Sequence, residues 1–167
     1  MLSIFRKKKV DAPAAEEAIT SRVRREISIP IKFLKRSATK AEPGDIAQTK
    51  HLIEQTFSEF GINVEMGKTS VGPTVTQYTF RPSQGVKLSR IISLQNDLAL
   101  SLAAHPLRME APIPGKSLVG VEVPNTKVAT VTLRDVMESK SFKTSESNLA
   151  VPLGKDVSGS TFTISLD

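Results

Sequence analysis

LRMEAPIPGKSLVGVEVPN, residues 107–125, reads as two strands around one tight turn. Leu107, Met109, Ala111 and Ile113 alternate with Arg108, Glu110, Pro112 and Pro114. Beyond the turn, Val119, Val121 and Val123 alternate with Leu118, Gly120 and Glu122. A period of two predicts half-buried strands. Pro114-Gly115 suits the turn, because proline presets φ and glycine accepts a positive one. Prolines 112, 114 and 124 keep the ribbon ends from extending a ladder.

Working towards the N-terminus, residues 88–104 predict a helix with Leu88, Ile91, Ile92, Leu98 and Leu102 on its apolar face. Ser93 with Asn96-Asp97 marks a restart or kink, and Pro106 ends it. Residues 62–81 predict a hairpin turning at Gly72-Pro73. Tyr78, the only tyrosine, is either a core aromatic or, beside Arg81, a platform for bases. Residues 45–60 predict a helix capped by Asp45, with Ile46, Ile53, Phe57 and Phe60 as the buried stripe. Gly61 then fits the left-handed C′ position, with Ile62 reaching back to Phe57. Towards the C-terminus, residues 132–139 predict a short helix with an imperfect capping box, Thr132 and Asp135. Residues 149–153 and 161–166 predict two more strands, in which Phe162, Ile164 and Leu166 alternate with Thr161, Thr163 and Ser165. The order predicts an α+β fold of helix–hairpin units, mainly antiparallel, with helices packed on the sheet.

At 167 residues and 39% hydrophobic content the chain can bury a real core. Zero cysteines exclude disulfides and thiolate metal sites and fit a reducing compartment. No apolar run approaches the ~20 residues of a membrane helix, and MLSIFRKKKV is not a secretory signal. The net charge of +6 sits at one end. Residues 1–40 hold eleven Lys/Arg against four Asp/Glu, and residues 41–167 twelve against thirteen. The N-terminal arm, expected to be partly disordered, is a solvated tail or touches DNA or anionic lipid through Lys7, Lys8, Lys9, Arg22, Arg24 and Arg25. The near-neutral remainder argues against a dedicated high-affinity DNA-binding domain.

Gly115-Lys116-Ser117 imitates a phosphate loop, but Glu110 stands where the first glycine belongs and a strand follows instead of a helix. Leu153-Gly154-Lys155-Asp156 fails too, with Asp in place of the hydroxyl residue. His51 and His105 are the only histidines, and no serine sits in a G-x-S-x-G elbow. No catalytic residue, cofactor site or metal site is therefore expected, and no enzyme activity of the chain on its own. Binding and assembly remain. Pro112, Pro114, Gly115 and Lys116 at the ribbon tip form either a partner contact or an ordinary turn. Lys68, Arg81, Lys87 and Arg90 either meet duplex phosphate without reading sequence or form a solvated face.

EAPIPGKSLVGVEVPN resembles the signature of the alpha module that precedes the ATPase core in FtsK/SpoIIIE-type DNA translocases. FGINVEMGKTSVGPTVTQYTF (60–80), LRDVMESKSF (133–142) and LAVPLGKDVSG (149–159) agree in the right order, so the resemblance covers residues 27 to 159. It implies residues 1–44 as basic arm, docked strap (27–34) and linker, 45–148 as the module, and 149–167 as strands leading towards an absent ATPase core. It implies a DNA-guiding and ring-assembly role in a hexameric double-stranded DNA pump for chromosome segregation and cell division. ATP and magnesium would belong to a RecA-like motor, in cis or in trans. The location implied is cytoplasmic, with membrane association at the division site through partners. Full-length members usually carry N-terminal membrane spans, which this chain lacks, and it reaches Asp167 before any P-loop. The expectations are a fragment, a truncated product or half of a split motor. The alternatives are the front of a complete pump and a stand-alone regulator of motor subunits.

Overall fold

The computed structural model describes residues 29–167, and the compact unit runs from Ile31 to Asp167. The arm residues Lys7, Lys8, Lys9, Arg22, Arg24 and Arg25 lie outside the described residues, as do positions 27 and 28 of the expected strap.

α1 (Ile46–Glu59) starts where Asp45 accepts from the Gln48 N–H at 2.9 Å. It ends in a Schellman cap. Gly61 takes φ +70°, its N–H donates to the Ser58 carbonyl, and the Ile62 N–H donates to the Phe57 carbonyl, both at 2.9 Å. Ile53, Thr56 and Phe57 are buried, while Phe60, expected in the stripe, is exposed at the cap.

β1 (Val64–Val71) and β2 (Val75–Pro82) form the expected hairpin. A bulge falls between Met66 and Thr69, where Gly67 lies against Thr79: a Cβ there would stand 2.8 Å from its hydroxyl oxygen. The second helix is broken in two, α2 (Leu88–Ser93) and α3 (Gln95–Ser101). Leu94, at φ −86° and ψ 6°, makes the break. The break rotates the apolar face: Ile91, Leu94 and Leu98 are buried, while the expected Leu88 and Ile92 are exposed.

β3 (Arg108–Glu110) and β4 (Val119–Pro124) make the ribbon. Beyond β3 the ribbon closes with Ile113 N–H donating to the Leu118 carbonyl at 2.8 Å. Lys116 N–H donates to the Ile113 carbonyl at 3.0 Å across Pro114-Gly115, with Gly115 at φ +72°. Those features define a type II turn. All four strands join in one antiparallel sheet ordered β1-β2-β4-β3, because β2 also pairs with β4. The register sets Thr76, Tyr78 and Phe80 beside Val123, Val121 and Val119 on one face. α1, α2 and α3 cover that face, and the Phe57 and Phe80 rings meet at 5.0 Å between centroids.

A half-buried β4 is not what forms. Its central place leaves Gly120 and Glu122 buried as well. Ile113 folds over Gly120 on the outer face, 3.0 Å from where a Cβ would stand, so it leaves the alternation with Leu107 and Met109.

α4 (Leu133–Met137) carries a complete capping box. Asp135 N–H donates to Thr132 Oγ1, and Thr132 N–H returns a bond to the Asp135 carboxylate. Aspartate thus closes a box in which glutamate is preferred. A further short helix, α5 (Lys140–Lys143), begins at Ser139, whose hydroxyl accepts from Phe142 N–H. β5 (Ala150–Lys155) and β6 (Thr161–Ser165) form a separate antiparallel hairpin against α4 and α5.

The start of the unit is not a simple extended strap. Ile31–Phe33 is a 3-10 turn and Phe33 is exposed. Docking begins at Leu34, whose carbonyl accepts from Arg134 Nη1 at 3.3 Å, and at Arg36, which pairs with Glu138. The stretch read as a linker runs beside residues 127–130. Thr39 accepts from Thr130 N–H, and Glu42 and Lys127 exchange two backbone hydrogen bonds.

Candidate functional site

The four cations expected to meet phosphate do not share one surface. By register Arg81, at the end of β2, belongs to the outer face of the sheet, and Lys68 is exposed in the unpaired β1 bulge next to inward-facing Thr69. Arg81 stands opposite Glu65 in the ladder. Lys87 and Arg90 start α2, on the helical side of the sheet. Arg90 donates through Nη2 to the Phe60 carbonyl at 2.8 Å and so ties α2 to the end of α1. Tyr78 is fully buried, so it is a core aromatic and cannot stack on a base.

Pro112, Pro114, Gly115 and Lys116 are all exposed at the ribbon tip. Gly115-Lys116-Ser117 lies in the turn between two strands, with no helix N-terminus behind it. A phosphate would find none of the converging N–H groups that a P-loop supplies. Beside the tip lies an apolar notch of about 210 Å³, lined by Pro82, Leu88, Pro112, Ser117, Leu118 and Val119.

A second surface was missed from the sequence. In the β5–β6 hairpin, Val151 pairs with Ile164, Gly154 with Phe162, and the Leu166 N–H reaches the Leu149 carbonyl. That register puts Leu149, Val151, Phe162, Ile164 and Leu166 on one face, with Leu153 in the bulge beside it. The other face, with Ala150, Pro152 and Thr163, belongs to the side where α4 and α5 pack, and Thr163 Oγ1 is buried. The apolar face is outward towards its edges, where Leu149 is 55% exposed, Leu153 58%, Phe162 57% and Leu166 66%, while Val151 and Ile164 at its centre are half-buried. The alternation of Phe162, Ile164 and Leu166 was legible in the sequence. It could not say which face would be covered.

Carboxylates fix the local geometry near these surfaces. Burial pushes the Glu122 carboxyl above its ordinary range; Arg108 pulls the other way and Glu110 adds to the rise. The Ser158 hydroxyl, followed by backbone N–H groups, holds Asp156 below the ordinary range, and Thr132 does the same for Asp135. No helix among the described residues is long and apolar enough to cross a membrane.

Residues 30–125 match the model of a protein family described as the FtsK alpha domain. The chain is 46% identical over 129 residues to a Bacillus cereus protein named DNA translocase FtsK, covering 77% of this chain and 16% of that protein. It is 47% identical over 132 residues to the protein of that name from Caldanaerobacter subterraneus subsp. tengcongensis, covering 78% and 19%. For the Staphylococcus epidermidis protein of that name the identity is 43% over 145 residues, covering 85% and 18%. The chain thus spans less than one fifth of the length of these relatives.

Proposed function

The chain belongs to the FtsK alpha-domain family, and on that premise we propose that it is the DNA-guiding and ring-assembly module of a hexameric double-stranded DNA translocase. Its work is in chromosome segregation and cell division, on the cytoplasmic side, with partners holding it at the division site. It has no ATPase site of its own. A RecA-like motor domain, in cis or in trans, binds ATP and magnesium and supplies force. The module holds duplex DNA without reading sequence, through a few phosphate contacts on one face at Lys68 and Arg81 and through the basic arm. The ribbon tip with Pro112, Pro114, Gly115 and Lys116 meets a neighbouring subunit.

The observation that carries this reading is the outward apolar face of the β5–β6 hairpin. A two-stranded hairpin is marginal alone, and a contiguous exposed apolar patch marks a binding surface. This one lies in the stretch that resembles the approach to the ATPase core, so the motor is its natural cover. A second reading, the front of one continuous ATP-driven pump, is favoured by relatives in which the matched region is only 16–19% of the chain.

The test is duplex binding by fluorescence anisotropy across a salt series, with and without the motor core of the Bacillus cereus relative. The chain alone should bind weakly and with a steep salt dependence. Adding motor core should tighten binding, and Phe162→Ser with Leu166→Ser should remove that gain. Unchanged affinity on adding the motor would count against the reading.

A further inference from the structure

We propose that Gly72 is a mechanical joint: the tip of the β1–β2 hairpin and the tip of the β5–β6 hairpin meet there backbone on backbone, so that movement of the outer hairpin is passed into the central sheet.

The requirement for glycine at this point is steric. The φ of Gly72 is not positive, so an alanine could adopt its conformation. Space forbids it. A Cβ on Gly72 would stand 2.5 Å from the Val157 carbonyl oxygen and 3.0 Å from its carbon. Both obstacles are backbone atoms and cannot rotate away. A matching closeness occurs from the other side, where a Cβ on Gly159 would stand 3.3 Å from the Val71 carbonyl oxygen.

Each tip is itself held rigid. On the sheet side, Gly72 N–H donates to the Val75 carbonyl at 2.9 Å. Its own carbonyl accepts from Asn125 Nδ2 at 2.9 Å. Asn125 Oδ1 accepts from Thr76 Oγ1 at 2.7 Å, and Asn125 N–H donates to the Thr74 carbonyl at 3.0 Å. Thr76 and Asn125 are both buried, so these bonds are not exchanged for water. On the outer side, the Asp156 carboxylate accepts from Ser158 N–H, Ser158 Oγ and Ser160 N–H, at 2.9, 2.7 and 2.8 Å. Two stiff turns in hard contact transmit displacement instead of absorbing it.

α4 and α5 pack against the strands of the hairpin, and this contact holds its tip. Losing the tip contact frees the hairpin to tilt about the helices. That the joint reports on a motor rests on the function proposed above; the joint itself does not.

The test is amide hydrogen exchange on the full chain without any partner, in wild type, Gly72→Ala and Asp156→Ala. Asp156→Ala loosens the outer tip while leaving Gly72 intact. Both variants should raise exchange about tenfold across β5 and β6 and leave β4 near wild type, since local opening need not involve the core. Wild-type protection of the hairpin in Gly72→Ala would overturn the proposal. So would a loss of β4 protection equal to that of the hairpin, or a released hairpin in one variant only. Duplex and motor play no part in this measurement, so its failure is separable from failure of the functional reading.

Discussion

Glu122 stands directly opposite Arg108 in the β3–β4 ladder, and the carboxylate is the buried partner: Glu122 is 7% exposed while the Arg108 side chain is 73% exposed. Burial outweighs the attraction and lifts the Glu122 carboxyl above its ordinary range. The folded chain therefore holds this proton to a higher pH than the unfolded chain. Stability from this group falls as pH rises from the ordinary carboxylate range through the raised value. Glu122→Gln keeps the shape and removes the charge. Thermal unfolding should show the variant at least as stable as wild type at pH 7, with the difference shrinking towards pH 4. A variant clearly less stable at pH 7 would mean that the Arg108 attraction dominates.

Asp135 and Asp156 have the opposite sign. Both carboxyls are held below their ordinary range, by the hydroxyls of Thr132 and Ser158 before any other cause. Their contribution is present above the unfolded carboxylate range and is lost as pH falls through the depressed folded values. Melting curves between pH 6 and pH 2 should show acid destabilisation that is shallower in Asp135→Asn and Asp156→Asn. Both groups are close to solvent, so the effect is small and reduced further by salt.

Gly61→Ala should cost about 1 kcal/mol, because alanine at φ +70° pays the left-handed penalty. Urea unfolding reads this as a lower midpoint with an unchanged slope. Equal stability would show that the cap does not need this conformation.

Tyr78→Phe should be neutral or slightly stabilising. The hydroxyl is buried near Thr49 without a hydrogen bond of normal geometry, so removing it leaves no lost partner. Duplex affinity should not change either. A fall in affinity at unchanged stability would revive the stacking role that burial denies.

Much of the fold was legible from period and punctuation. Asp45, Gly61, Pro114-Gly115 and the two hairpins sit where local chemistry puts them. What escaped was set by long-range neighbours. Gly120 and Glu122 alternate like solvent-facing residues, yet β4 is central and Ile113 folds back over its outer face. Ile92 fits an unbroken helix, but the break at Leu94 turns it outward. The bulge at Gly67 answers to Thr79 twelve residues away. For the candidate surfaces the same limit applies. The basic residues could be found in the sequence, but only the tertiary fold shows Arg81 opposite Glu65 in the ladder and Arg90 bound to the Phe60 carbonyl.

The outward leucines and phenylalanine of the last hairpin also govern how the isolated chain behaves in a test tube. Water-exposed apolar strands adhere to one another, to resin and to glass, and two such faces meeting bury both. Dimers or larger species of the bare 167-residue chain in concentrated solution would report that stickiness, which has no fixed stoichiometry. The association state of the chain becomes readable only once Leu153, Phe162 and Leu166 are covered or made polar. Sizing experiments without that precaution would count clumps as subunits.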